Sequence, residues 1–295
     1  MKHITVLQNE AVTALALRED CVVCDATLGA AGHAQSIVGS LDQRGTFIGI
    51  DADQTAIDHA TGFLKTKATM HLVKANFRDI RTVLNGKGIE VVDAILADLG
   101  WHTDQFTDGK RGFSFNDPDP LMMTYGNPED YPFVASDIIN GWDEEDIANV
   151  LYGYGEERYS RRIAKLICER RAIAPIMTAL ELADIVETAV PAAYRRGKIH
   201  AATKTFQALR IAVNDEFATL EFFIKEAWSL LKPNGRIAII TFHSLEDRIV
   251  KHLFRSFVQD DTGVLVVKKP ITPSPEERTN NPRSRSAKLR IIQKL

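Results

Sequence analysis

The chain has 295 residues, of which 45% are hydrophobic and 25% charged, and a formal net charge of −3. That is the composition of an ordinary soluble globular protein with room for one large domain or two smaller ones. No apolar run approaches the roughly 18 residues of a membrane span, and Met1-Lys-His-Ile-Thr-Val-Leu7 lacks the apolar core of a secretion signal, so no membrane partner is expected. Three cysteines are too few for a disulfide framework and point to a reducing cytoplasm.

The first hundred residues alternate between two patterns. Apolar runs predict strands over 22–25, 47–51, 70–73 and 91–98, and the segments 33–41, 53–66 and 77–84 between them read as helices. This alternation predicts a parallel sheet with right-handed crossovers. Cys21 and Cys24 mimic a metal-binding C-x-x-C pair. Three residues apart along a strand, they point to opposite faces and cannot share an ion.

The first strand runs into a small-residue turn, Asp25-Ala-Thr-Leu-Gly29-Ala-Ala-Gly32-His33. Such a turn lets backbone approach a ligand closely at a helix N-terminus. The second strand ends in Asp51, placed to accept both hydroxyls of a ribose. Together they predict a pocket for an adenosine-bearing cofactor. A dinucleotide would call for G-x-G-x-x-G, but the turn here is Gly29-Ala-Ala-Gly32. Asp25 would also repel a pyrophosphate while suiting the cationic end of S-adenosylmethionine. A methyltransferase is therefore preferred over a nicotinamide dehydrogenase. The fourth strand ends in Asp98, so Asp25, Asp51 and Asp98 should converge at the carboxyl edge of the sheet, where open α/β sheets bind ligands.

More than 130 residues separate Asp98 from the next convincing strand, Gly235-Arg-Ile-Ala-Ile-Ile-Thr241, which follows a turn at Lys232-Pro-Asn-Gly235. A single crossover helix needs far fewer. An insert of about a hundred residues is expected. It opens with a Gly-, Pro- and Asp-rich loop over 105–127 and continues with helices over 143–152, 157–171 and 178–190. Thr178-Ala-Leu-Glu181 is a capping box for the last of these. The expected organisation is a methyltransferase domain in two parts, 1–106 and 204–295, around a helical substrate-recognition domain, 107–203. After Thr241, Ser244 is the expected N-cap of a helix through Phe257. Two short strands over 264–267 and 289–292 complete a seven-stranded sheet, and the Pro-rich stretch 270–282 reads as a surface loop. The predicted fold is thus a seven-stranded Rossmann-like α/β methyltransferase with an inserted helical domain.

Charge is uneven along the chain. Residues 192–213 carry Arg195, Arg196, Lys198, Lys204 and Arg210 with no acid, and residues 268–294 carry eight basic residues against Glu276 and Glu277. Stretches of this kind suit a phosphate backbone, so nucleic acid is an expected partner. No His/Cys cluster with ligand spacing is present, and no metal is expected.

Longer blocks carry a resemblance. Arg111-Gly-Phe-Ser-Phe115, Tyr154-Gly-Glu-Glu-Arg158, Thr205-Phe-Gln-Ala-Leu-Arg-Ile-Ala-Val-Asn214, Phe242-His-Ser-Leu-Glu-Asp-Arg-Ile-Val-Lys251 and Asn281-Pro-Arg-Ser-Arg-Ser286 resemble the RsmH/MraW family from His3 to the C-terminus. Those bacterial enzymes methylate the exocyclic N4 of a cytidine in the decoding region of small-subunit rRNA, cytosine 1402 of 16S rRNA, with S-adenosylmethionine. The resemblance implies an rRNA substrate within an assembled or nearly assembled 30S subunit, and it leaves room for a homodimer. It places the family's Gly-Gly-His on Ala31, Gly32 and His33, its ribose acid on Asp51, its adenine-flanking Phe on Phe77, its fourth-strand acid on Asp98 and its Gln on Gln105.

The chain departs from the family at several points. Ala31 stands where the family has glycine. Trp101-His-Thr-Asp-Gln105 replaces Val-Ser-Ser-Pro-Gln, Pro120-Leu-Met-Met-Thr-Tyr125 replaces Pro-Leu-Asp-Met-Arg-Met, and His200-Ala-Ala-Thr-Lys204 replaces His-Pro-Ala-Thr-Arg. These changes gather at the expected substrate mouth and keep open a methyltransferase with a different RNA target. A non-catalytic ribosome-assembly factor on the same fold also stays open.

Asp98 is the first candidate to hold the acceptor amine, and His243, after the fifth strand, is the second, as an acceptor or an orienter. A target base must leave its stack to enter such a pocket. Trp101, Phe113 and Phe115 could stack on it, but each reads more readily as core.

Overall fold

A computed structural model describes residues 4–99, 111–116 and 118–295. The chain divides into two compact units, a sheet unit of Met1–Trp101 and Phe217–Leu295 and a helical unit of His102–Glu216.

The sheet unit holds seven strands: β1 (Val22–Asp25), β2 (Thr46–Asp51), β3 (Thr69–Lys74), β4 (Val92–Asp98), β5 (Leu231–Thr241), β6 (Gly263–Leu265) and β7 (Lys288–Lys294). Their order across the sheet is β3-β2-β1-β4-β5-β7-β6. The first five are parallel, while β7 runs antiparallel to both β5 and β6. Strand order reverses beside β1, which pairs β2 on one side and β4 on the other, and this is where open sheets form a ligand crevice.

The central strands read as unbroken apolar runs because both faces are covered. One face packs Phe47, Ala94, Leu96 and Ile240 against Ile37, and the other packs Ile48, Ile50, Ile95 and Ile239 against Phe223 and Ile224. Cys21 belongs to the first of these cores and Cys24 to the second, as the strand period requires.

The helices of this unit are α1 (Gln8–Ala14), α2 (Gly32–Gly39), α3 (Gln54–Phe63), α4 (Ile80–Asn85), then, in the second segment, α11 (Glu216–Leu230), α12 (Ser244–Gln259) and α13 (Pro275–Asn280). The expected helix over 77–84 divides into a 3-10 turn, Phe77–Asp79, and α4. The expected turn at 232–235 survives as an excursion inside β5. Pairing jumps from Val92–Leu231 to Ala94–Arg236, and Asn234 takes φ 65°. The stretch 270–282 is not wholly loop. Ser274 accepts from the Glu277 N–H, and Pro275 sits in the first turn, so a helix starts there.

The helical unit contains α5 (Ala135–Gly141), α6 (Glu144–Gly155), α7 (Ser160–Arg171), α8 (Ala179–Ala189), α9 (Ala192–Arg195) and α10 (Thr203–Val213). The capping box at Thr178 forms, with the Glu181 N–H on Oγ1 and the Thr178 N–H on the Glu181 carboxylate. The helix expected from 157 starts at Ser160, because Glu156 turns left-handed at φ 49° and ends α6.

The expected boundary at 203/204 is corrected to 216/217. α10 is amphipathic, and its Phe206, Leu209 and Val213 are buried with Leu151, Ile163 and Leu182 in the core of the helical unit. The expected boundary at 106/107 lies outside the described residues.

Two glycines of α6 make a matched pair. A Cβ at Gly155 would lie 2.5 Å from the Lys204 carbonyl oxygen of α10, whereas a Cβ at Gly153 meets nothing within 4 Å. Gly155→Ala should therefore cost about 1–3 kcal/mol in denaturant unfolding, as overpacking against backbone does. Gly153→Ala should be neutral or stabilise by up to about 1 kcal/mol. Equal effects at the two sites would contradict the close crossing of α6 and α10.

Candidate active site at the strand tips

Parallel pairing brings the carboxyl ends of β1, β2 and β4 side by side. Asp25 pairs in register with Gly49 and with Leu96, so Asp51 and Asp98 end two residues beyond it on either side. The turn after β1 is then tied to both neighbours. The Ala26 N–H donates to the Leu96 carbonyl at 2.8 Å and the Leu28 N–H to the Ile50 carbonyl at 2.9 Å. The Gly29 N–H donates to Asp51 Oδ2 at 2.8 Å, and Asp51 Oδ1 accepts the Asp53 N–H at 2.9 Å. Asp51 is thus oriented by two backbone donors, and a carboxylate oxygen has lone pairs for more than one hydrogen bond.

The turn itself needs left-handed backbone at Gly29 (φ 49°) and at Ala31 (φ 62°). Ala31 is the N-cap of α2, fully buried, and carries the alanine cost of that conformation, about 1–2 kcal/mol. At Gly32 a Cβ would overlap the Thr5 side chain, so glycine is required for the N-terminal segment to lie over the turn.

Asp25 is 1% exposed. Its Oδ1 accepts the Thr27 N–H at 3.2 Å, while Oδ2 has no hydrogen-bond partner among the described residues. Burial pushes its pKa well above the usual carboxylate range, and the charges of Asp98 and Asp51 push the same way.

Thr27, which sequence reasoning passed over, also binds the neighbouring tip. Its Oγ1 accepts the Asp98 N–H at 2.6 Å. The available signal was Asp25-Ala-Thr27, a pattern whose side chains bond backbone two residues on.

His33 opens α2 but does not face outward. Its ring is buried, with Nε2 3.0 Å from the Val6 carbonyl and Nδ1 3.7 Å from Asp98 Oδ2. Phe77 opens the 3-10 turn after β3, half-buried, with its ring edge-to-face on Phe223 at 5.1 Å. Gln105 and Trp101 lie outside the described residues.

His243 follows β5. The N-cap of α12 is His243 itself, not Ser244. The His243 backbone is extended, and its Nδ1 accepts the Glu246 N–H at 3.3 Å. Glu246 answers by accepting the Phe242 and His243 N–H groups at 2.9 and 3.2 Å. With Nδ1 committed as an acceptor, the neutral ring carries its proton on Nε2, which lies 3.0 Å from Glu246 Oε1 outside hydrogen-bond alignment. One turn on, Asp247 accepts from Arg290 at 2.6 and 3.2 Å and from Lys288 at 2.9 Å. Desolvation is the largest single effect on this carboxyl and raises its pKa, but the two cations together outweigh it and hold it below the usual range.

In the helical unit the motif residues form joints. Arg111 Nη1 donates to the carbonyls of Thr124, Tyr125 and Gly126 at 2.8–3.0 Å. Phe113 stacks on Tyr125 and Phe115 on His200, both half-buried against the core. Arg210 grips Glu216 through two bonds of 2.8 and 3.1 Å, and Asn214 binds the Met123 carbonyl and the Tyr125 N–H. Glu157, fully buried, accepts from the Tyr159 N–H and the Tyr194 hydroxyl. The exposed Arg158 guanidinium lies over the Tyr159 and Tyr194 rings at 4.9 and 5.0 Å. Arg195, Arg196 and Lys198, which follow Tyr194 in sequence, are exposed.

Comparison with known proteins agrees along the whole chain. The model of the MraW methylase family matches residues 1–295. Ribosomal RNA small subunit methyltransferase H of Brevibacillus brevis is 43% identical over 309 residues, covering 99% of this chain and 98% of the relative. Its namesake from a Paenibacillus species is 44% identical, covering 100% and 99%, and that from Lactiplantibacillus plantarum is 39% identical, covering 100% and 97%.

The state of Asp25 gives a test on the protein alone. Its folded pKa is raised, so its contribution to stability is intact below about pH 4, near its ordinary value of 3.8, and is lost as pH rises through the folded pKa. Asparagine keeps the shape and cannot ionise. Asp25→Asn should therefore raise the melting temperature at neutral pH, with the gain shrinking as pH falls towards 4. A gain that grew on acidification would reverse the assignment.

Proposed function

The chain belongs to the MraW methylase family, and from that premise we propose that it methylates small-subunit ribosomal RNA. S-adenosylmethionine is the donor, and the acceptor is the exocyclic N4 of a cytidine in the decoding region, cytosine 1402 of 16S rRNA. The observation that carries the reading is the cluster of Asp25, Asp51 and Asp98 around the glycine turn, in which Asp25 keeps a buried oxygen with no partner among the described residues. A donor with an ammonium and a sulfonium supplies the cationic partner that this cluster calls for.

When bound, S-adenosylmethionine supplies an electrophilic methyl group. The chain does the rest. Asp51 would hold the ribose hydroxyls, and Phe77 would flank the adenine. The backbone of Gly29, Ala31, Gly32 and His33 would lie against the donor, with Gln105 joining the set. Asp25 would face the donor's positive end.

An exocyclic amine on cytosine is a poor nucleophile because its lone pair is conjugated with the ring. A carboxylate that accepts a hydrogen bond from it draws the nitrogen out of plane and favours the positive charge that develops there. Asp98, at the tip of β4, is the group for that task. His243 is a donor in the tautomer its cap dictates, which suits orientation better than proton removal.

The helical unit would hold the RNA, presenting Arg158, Arg195, Arg196 and Lys198 to phosphates within an assembled or nearly assembled 30S subunit. Ribosome assembly puts the reaction in the cytoplasm. No helix among the described residues is long and apolar enough to cross a membrane.

A second reading, a different RNA target, draws on the departures at 101–104 and 122–125. Mass spectrometry of small-subunit rRNA from a deletion strain separates the two. Loss of one N4-methylcytidine supports the first reading, loss of another mark supports the second, and no change would leave an assembly factor.

Two substitutions test the roles. Asp51→Ala should weaken donor binding at least tenfold by calorimetry, as expected when charge-assisted bonds of about 1.5–3 kcal/mol each are lost. Asp98→Asn should lower single-turnover methylation by roughly 100-fold at saturating donor, with donor affinity little changed. If saturating donor restores the rate, Asp98 anchors the cofactor and does not act on the amine.

A further inference from the structure

The N-terminal segment 4–8 is fastened across the glycine turn. Gln8 donates to the Gly32 carbonyl and to Ser36 Oγ, both at 2.9 Å. The Leu7 N–H donates to Glu277 at 2.8 Å, and Asn281 donates to the Ile4 carbonyl at 2.9 Å. Leu7 is buried and held left-handed at φ 50°. This strap presents one buried acceptor to the site, the Val6 carbonyl, to His33 Nε2.

A carbonyl can only accept, so Nε2 carries the imidazole proton and the neutral ring has its lone pair on Nδ1. That lone pair faces Asp98 Oδ2 at 3.7 Å inside a site where the ring is 5% exposed. A basic nitrogen with a lone pair thus stands beside the carboxylate, and methyl transfer to an amine must dispose of a proton.

Building on the reading that Asp98 acts on the acceptor amine, we propose that His33 is a relay residue that takes the reaction's proton from Asp98. The amine nitrogen bonds to the methyl carbon as the carbon–sulfur bond breaks and sulfur keeps the electron pair. The nitrogen then bears one proton too many. That proton passes to the Asp98 carboxylate and on to His33 Nδ1, leaving an imidazolium between a carboxylate and the Val6 carbonyl. Loss of the proton to solvent resets the pair. The 3.7 Å gap is the kind that tightens when substrate seats the carboxylate. Among the described residues, the other ionisable groups at these tips are Asp25 and Asp51, both acids. The strap is what makes the relay directional, because it assigns the ring's proton to Nε2.

Three measurements on the full-length protein test this. Nitrogen-15 NMR of the imidazoles in the donor-free protein should find His33 with Nε2 protonated and Nδ1 bare, and a proton on Nδ1 would overturn the proposal. His33→Gln retains an amide donor for the Val6 carbonyl but has no basic nitrogen. Its turnover at saturating donor should fall about 100-fold, the scale of general acid–base catalysis, with melting temperature and donor affinity unchanged. Normal turnover in His33→Gln would show that the histidine only holds the strap. In His33→Ala, added imidazoles should restore rate in proportion to their basicity, and rescue independent of basicity would likewise make the role structural. Asp98→Asn separates the two readings. If that variant turns over normally, the role of Asp98 fails, whereas a slow Asp98→Asn beside a normal His33→Gln rejects the relay alone.

Discussion

Three carboxylates crowd the carboxyl edge of the sheet, and one of them is buried. Parallel pairing of β1 with β2 and β4 leaves Asp25 no freedom to move away from Asp51 and Asp98, since all three are the last residues of hydrogen-bonded neighbours. Like charges this close, in a place solvent reaches poorly, are unfavourable unless something positive is present. The fold meets part of that demand with backbone donors from Thr27, Gly29 and Asp53. The rest would fall on the donor that we propose binds here. A site strained in this way is less stable empty than its neutral analogue would be, the usual relation between stability and a charged functional site.

Each element around the cluster follows from keeping it in place. The Gly29–Gly32 turn must pass close under the N-terminal strap, which excludes a side chain at Gly32. Thr27 fastens β1 to the tip of β4, and His33 joins α2 to both the strap and Asp98. On the far side of β4, Glu246 and His243 cap α12 reciprocally, and Asp247 clamps that helix to the antiparallel strand β7 through Arg290 and Lys288. A mixed sheet edge thereby gains a rigid helix start directly after β5.

The helical unit solves a different problem. Its motif residues mostly satisfy backbone and buried polar groups: Arg111 on three carbonyls, Asn214 on the chain around Met123 and Tyr125, and Glu157 on Tyr194. Buried polar groups are costly unless bonded, so residue identity at these positions is constrained by folding before any contact with RNA. Arg158 is the exception. Its exposed guanidinium is stacked on two rings, an order that an arginine gains at little entropic cost and that suits contact with RNA.

The strands, the glycine turn and the three tip acids were legible in the sequence because each depends on local pattern: apolar runs, small residues and the period of two that sends Cys21 and Cys24 to opposite faces. The capping box at Thr178 was legible for the same reason. What only the tertiary structure decided depends on partners distant in sequence. α10 belongs to the helical unit because its apolar face finds α6, fifty residues away, and nothing within 203–213 names that partner. His243 rather than Ser244 caps α12 because the backbone there is extended with Glu246 in reach. The direction of the His33 ring was beyond sequence altogether, since it rests on a carbonyl in the N-terminal strap and an acid at the end of β4. Pattern determines which residues lie inside an element. Which atoms meet across elements is determined by packing, and the chemistry of this site lies there.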